Sequence, residues 1–160
     1  MLKIEEYFLP TLSLRLATNV AVPSWEAFGR EDGILRATQL LHDEVLGRRA
    51  WPLRTFGVFD VPRGDQPGRY AAAIEATAND DHDGRTMVIA GGYFVGVEHV
   101  GPLATLGESL RWFYEDYLPG SPYTPRPESH LFLFDPRFSP TSASSILTFG
   151  TLAQRSTGSD

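Results

Sequence analysis

The segment from Val88 to Tyr123, VIAGGYFVGVEHVGPLATLGESLRWFYEDYLPGSPY, limits the fold more tightly than any other part of the chain. Tyr93, Val95 and Val97 fall on one face and Phe94, Gly96 and Glu98 on the other, which is the two-residue period of a strand. Gly101-Pro102 then leads straight into Leu103, Leu106, Leu110, Phe113 or Tyr114, and Tyr117, spaced by threes and fours as on the buried stripe of an amphipathic helix. Proline suits the first helical turn because its missing N–H would be unpaired there anyway. Pro119-Gly120 ends the helix. On this reading Leu106, Leu110 and Tyr117 face the core, Trp112 and Asp116 lie off that face, and Phe113 and Tyr114 stand at its edges.

Taken in order, Lys3 to Thr18 alternates around Leu12, Leu14 and Leu16 and reads as a half-buried strand with Pro10 at a bulge or edge. Asn19 to Phe28, with Trp25, is a connector whose aromatic residues cover part of the core. From Arg30 to Leu46 the positions Ile34, Leu35, Leu41, Val45 and Leu46 have helical spacing, and Gly47 supplies the left-handed stop. Arg54–Val61 and Tyr70–Thr77 are short strands around a loop, residues 62–68. The polar run Asn79–Gly84 is the midpoint. Beyond it the order recurs: strand from Thr86 to His99, helix from Leu103 to Leu118, strand from His130 to Asp135, a turn at 136–140, and strand from Ser145 to Ala153.

Val58-Phe59-Asp60-Val61-Pro62 and Leu133-Phe134-Asp135-Pro136 occupy equivalent places after their helices, each aspartate placed to cap a turn. We therefore read a single α+β domain over residues 1–154. It consists of two strand-helix-strand-strand repeats, about 1–78 and about 85–153, forming a mostly antiparallel sheet with two helices, followed by a frayed tail at 155–160. Two such halves bury their remaining apolar surface by lying side by side.

Gly91, Gly92, Tyr93, His99, Gly101, Pro102, Leu106, Tyr114, Tyr117, Leu118, Pro119, Ser121 and Tyr123 carry a resemblance to the second half of the GyrI-like small-molecule-binding domains. These domains occur as effector-binding modules of MerR- and AraC-type regulators and as stand-alone proteins. The resemblance implies two halves related by a pseudo-twofold axis, with a ligand cleft between the helices and the sheet. It also implies a glutamate on the strand before an Asn-Asp-Pro turn, facing a cationic ligand. Counting back from Asp135, that position is His130 here, with Glu128 two residues earlier. This departure admits a neutral or acidic aromatic ligand.

The residues we assign to ligand binding are Tyr93, Trp112, Tyr114, Tyr117, Phe132, Glu75 and His130. Aromatic faces offer stacking area and attract cations, and Tyr114 and Tyr117 add hydroxyls. Glu75 is an acid set in the apolar strand YAAAIEAT, where a lone carboxylate more often points to solvent.

The histidines do not form a spaced metal set, and His42-Asp43-Glu44 on a helix cannot converge on one ion. Asn79–Gly84 begins like a calcium loop, but its twelfth position is Ala90 rather than a bidentate glutamate. Gly107-Glu108-Ser109-Leu110-Arg111 lies in a helix and lacks the second glycine of a nucleophile elbow. Gly91-Gly92 runs into a strand, not a phosphate-binding helix N-terminus. We assign no catalytic residue, metal or cofactor.

A net charge of -6 with a single lysine, Lys3, argues against direct nucleic-acid binding. No apolar run approaches the ~20 residues of a membrane span, and the glutamates of MLKIEEYF do not suit a secretory signal, so the expectation is a cytoplasmic protein. The function read from the residues and the resemblance is binding of a small amphipathic aromatic molecule, cationic in the resembled family, by a stand-alone sensor or sequestering module. Two alternatives stay open: hydrolysis of a reactive xenobiotic natural product, with Glu75 and Tyr114 as its candidates, and a protein-interaction role toward a regulator or gyrase.

Overall fold

The computed structural model describes residues 2–47, 54–77, 85–135, 137–139 and 142–155. Trp51, the polar break at 79–84 and tail residues 156–160 lie outside them, as do Pro136 and Pro140 of the expected turn.

Nine strands form one sheet: β1 (Lys3–Leu9), β2 (Leu12–Leu16), β3 (Val20–Val22), β4 (Thr55–Phe59), β5 (Gly68–Glu75), β6 (Thr86–Ile89), β7 (Gly92–Val100), β8 (Tyr123–Phe134) and β9 (Ile146–Arg155). The order is β1-β7-β9-β8-β4-β5-β2-β6, with β3 on β5, and every described pairing is antiparallel. The two ends of that order are joined through the chain, because β1 runs into β2 and β6 into β7. These two long strands pair in one unbroken register, with Lys3 opposite Glu98, Leu9 opposite Gly92, Leu12 opposite Ile89 and Arg15 opposite Thr86.

Both are interrupted at the same level, at Pro10-Thr11 and Ala90-Gly91. A Cβ on Gly91 would lie 2.7 Å from the Leu9 carbonyl oxygen and 2.7 Å from the Thr11 nitrogen, so only glycine lets the strands approach here. The sheet thereby curls around a core of its own, made of Leu9, Leu12, Leu14, Phe56, Ile89, Phe94, Leu131 and Leu152 among others.

The opposite face is covered by two helical runs, α1 (residues 31–46) and α2 (residues 103–120). Ile34, Ala37, Leu41, Val45 and Leu46 of α1 are buried, whereas Leu35, expected inside, is 39% exposed, at the junction where the wider turn Glu31–Leu35 gives way to the regular helix and shifts the buried stripe. Gly47 ends α1 at φ 53°. In α2, Leu103, Leu106, Leu110, Phe113 and Leu118 face the sheet.

Residues 112–117 depart from α-helical bonding: the Leu118 N–H reaches the Phe113 carbonyl, five residues back. Residues five apart then stack, and Trp112 meets Tyr117 at 5.5 Å between ring centres. Tyr117 accordingly turns from the core-facing place that ordinary helical spacing predicts, and Phe113 takes it.

Two elements differ from their expected extents. β3 forms inside the stretch read as a connector. β8 begins at Tyr123 rather than His130, and its pairing with β9 shifts register between Pro125 and His130, where Pro125 and Pro127 are accommodated at an irregularity. At the strand end Asp135 accepts the Arg137 N–H at 2.8 Å, the turn-capping role expected of it.

Candidate functional site

The site begins at a close approach. A Cβ on Gly107 would lie 2.8 Å from the Glu26 Cα, so the short turn Glu26–Gly29 rests directly on α2. Arg111 pairs with Glu26, one bond measuring 2.8 Å, and holds the turn there. Trp25, just before the turn, is thereby laid flat on Tyr114 of α2, with ring centres 5.0 Å apart and an interplanar angle of 12°. Its indole N–H donates to Glu115 Oε2 at 2.7 Å.

Beneath them β8 presents His130 beside Phe59 of β4, its opposite residue in the ladder. Tyr114 Oη and His130 Nδ1 are 2.9 Å apart, and the hydroxyl lies 3.3 Å from the Gly150 carbonyl oxygen. Burial, with a smaller contribution from Arg63, pushes the His130 pKa down to about 4, so the imidazole is neutral near pH 7. Burial likewise raises the Tyr114 hydroxyl.

These groups form one end of an open cleft of about 670 Å³. Its apolar walls come from the loop after β4 (Val61, Pro62), the end of α2 (Leu118, Pro119) and the proline-rich start of β8, and two arginines, Arg63 and Arg126, are among its lining residues. Under the floor, Phe28, Phe59, Tyr70 and Phe132 pack ring on ring at centre separations of 4.9 to 6.0 Å. This block has little room to yield.

A second cavity, of about 870 Å³, lies along α2 against β1 and β7, lined by Leu2, Ile4, His99, Trp112 and Tyr117 among others. Its buried polar groups satisfy one another. His99 Nδ1 is 2.8 Å from Ser109 Oγ, and Nε2 is 3.2 Å from the Pro102 carbonyl oxygen.

The seven residues assigned from sequence therefore separate. Tyr114 and His130 line the cleft, and Trp112 and Tyr117 line the second cavity. Phe132 is fully buried in the aromatic block, and Tyr93 is 36% exposed, stacked on Tyr123 at the cleft's edge with ring centres 5.9 Å apart. Glu75 stands on the surface in a 3.1 Å ion pair with Arg54 and does not line the cleft. Sequence reasoning missed Trp25, Tyr123, Arg63 and Arg126 as cleft residues. Trp25 sat in the assumed connector, and Arg126 between two prolines did not look like strand. Among the described residues no three His, Asp or Glu side chains converge as metal ligands, and no helix is long and apolar enough to cross a membrane.

No protein-family model matches the sequence, and no curated protein sequence matches it. Solved structures do. SAV2435 bound to tetraphenylphosphonium superposes with a TM-score of 0.62 at 12% identity, covering 95% of this chain and 94% of that one. The crystal structure of the EcmrR C-terminal domain gives 0.65 at 13% identity, over 97% and 99% of the two chains. These structures share the α+β fold of this chain, with its two helices on a mostly antiparallel sheet. In the cryo-EM structure of EcmrR with DNA, the fold of this chain matches 58% of a longer protein, at a TM-score of 0.62 and 14% identity over 96% of this chain.

Proposed function

We propose that the protein binds a small amphipathic aromatic molecule in the cleft between Trp25, Tyr114 and His130, as a cytoplasmic effector sensor or sequestering protein. The observation that carries this reading is the stacked Trp25–Tyr114 wall, fixed by hydrogen bonds to Glu115 and His130 and standing over an aromatic floor. Small-molecule sites are preformed concavities with apolar walls and a few placed polar groups, and this cleft has all three. SAV2435, which shares the fold, was solved with tetraphenylphosphonium. We take the chain as one ligand-binding domain of two repeats. The central pairing of Thr55–Phe59 with His130–Phe134, and the single register joining the two long strands, support that division.

Calorimetric titration with aromatic compounds of positive, zero and negative charge tests the proposal. At least one compound should bind saturably, and Thr124→Trp, which fills the cleft from an exposed lining position, should weaken it about tenfold or more. Val100→Trp, beside the second cavity, should not. Equal binding by the wild type and Thr124→Trp would place the ligand elsewhere.

A further inference from the structure

We infer that the ligand of the cleft is an aromatic acid whose carboxylate is met by Arg63 and Arg126 above the imidazole of His130. This rests on the cleft being the binding site, and it gives the ligand the sign opposite to the cation that the sequence resemblance suggests.

Four observations converge on it. First, the floor of the cleft is formed by His130, a residue only 7% exposed. Its Nδ1 lies 2.9 Å from the Tyr114 hydroxyl, whose single proton also has the Gly150 carbonyl oxygen at 3.3 Å as an acceptor. Nε2 has no hydrogen-bond partner among the described residues. The floor thus keeps one imidazole nitrogen open to a ligand.

Second, Arg63 is exposed at the cleft and makes no side-chain hydrogen bond or ion pair with a described residue. Third, Arg126 donates to the Ala90 and Gly91 carbonyls and to Ser129 Oγ. These partners are neutral, so they orient the guanidinium against the corner of β6 and β7 without offsetting its charge. Fourth, the one described carboxylate side chain lining the cleft, Glu115, accepts the Trp25 indole N–H at 2.7 Å and lies 3.9 Å from Arg111 Nε. Its charge is turned toward partners it already has.

A planar guanidinium fork matches a carboxylate in geometry and charge. The proline, valine and leucine walls accept a flat ring. A cation in the same place would face two guanidinium groups.

The test is isothermal titration near neutral pH with three probes of one shape: naphthoate, naphthalenemethanol and naphthylmethylammonium. Naphthoate should bind about tenfold or more tighter than the alcohol, and the ammonium weakest. Arg63→Gln, an exposed change, should bring naphthoate close to the alcohol and leave the alcohol unchanged, and Arg126→Gln should act in the same direction. Ammonium binding as tight as naphthoate, naphthoate no tighter than the alcohol, or a naphthoate preference that survives both substitutions would overturn the inference. If those probes still lose affinity in Thr124→Trp, the cleft reading stands while the acid falls. If no probe binds, or binding ignores Thr124→Trp, both fall together.

Discussion

The two cavities along α2 differ less in size than in what their polar atoms have left to do. In the larger one, the buried polar groups His99, Ser109 and Pro102 have paired with each other, Trp112 and Tyr117 add apolar area, and the exposed Glu108 stands at its side. In the smaller, the Tyr114–His130 pair uses one imidazole nitrogen and leaves the other, and Arg63 stands without a carboxylate among the described residues. Recognition requires groups whose bonding is incomplete until a ligand arrives. We place the proposed ligand in the smaller cleft for that reason, although the larger cavity holds two of the aromatic residues that the sequence reading assigns to ligand binding.

The contrast can be broken most forcefully through packing. Phe132 lies fully buried in the aromatic block under the cleft, so Phe132→Ala should cost about 3–5 kcal/mol in urea denaturation, whereas half-buried Trp112→Ala at the second cavity should cost about 1–2 kcal/mol. Equal costs would mean that the block is not the rigid support described.

Acid acts next. The His130 pKa is lowered from 6.5 to about 4 in the folded protein by burial, so the unfolded chain takes up the proton first as pH falls. The stability involved is fully present above pH 6.5 and is lost on descending toward pH 4, by about 3 kcal/mol at most. Burial also lowers His99, which adds a loss of the same sign. Denaturation midpoints measured across this range should fall in the wild type and fall distinctly less in His130→Gln. An unchanged profile in the variant would refute the neutral, buried imidazole.

A smaller pair of effects should have opposite signs. The Tyr70 hydroxyl is buried without a partner among the described residues, so Tyr70→Phe should stabilise by about 1 kcal/mol. Ser109→Ala takes the partner from His99 Nδ1 and should destabilise by about 1–2 kcal/mol. Thermal melts of the two variants should therefore move apart. The smallest effect belongs to Glu75→Gln, which removes one exposed ion pair and should change stability by no more than about 0.5 kcal/mol, with no change in ligand affinity.

Much of this architecture is legible in the sequence because period and punctuation agree there. The strand-to-helix passage through Gly101-Pro102, the helix stop at Gly47 and the capping aspartate Asp135 each express a local rule that the tertiary structure leaves intact. Tyr114 follows from the helix reading as a hydroxyl-bearing aromatic, and His130 from the resemblance to GyrI-like domains. What escaped it has identifiable causes. Five-residue bonding in 112–117 turns Tyr117 toward Trp112, which a wheel drawn at ordinary helical spacing places on another face. Prolines 125 and 127 hide the start of β8, and with it Arg126. Trp25 reaches Tyr114 through contacts some ninety residues apart in sequence, made by the close approach at Gly107, and no local period encodes that approach. A glycine in the middle of an otherwise good helix was the available signal.

The most direct measurement follows the indole N–H signals in a proton–nitrogen correlation spectrum during titration with naphthoate, with Trp25→Phe and Trp112→Phe identifying the peaks. The Trp25 indole N–H, bonded to Glu115 at 2.7 Å in the cleft, should shift saturably while that of Trp112 in the second cavity stays in place. A shift of the Trp112 signal with Trp25 unmoved would contradict the account.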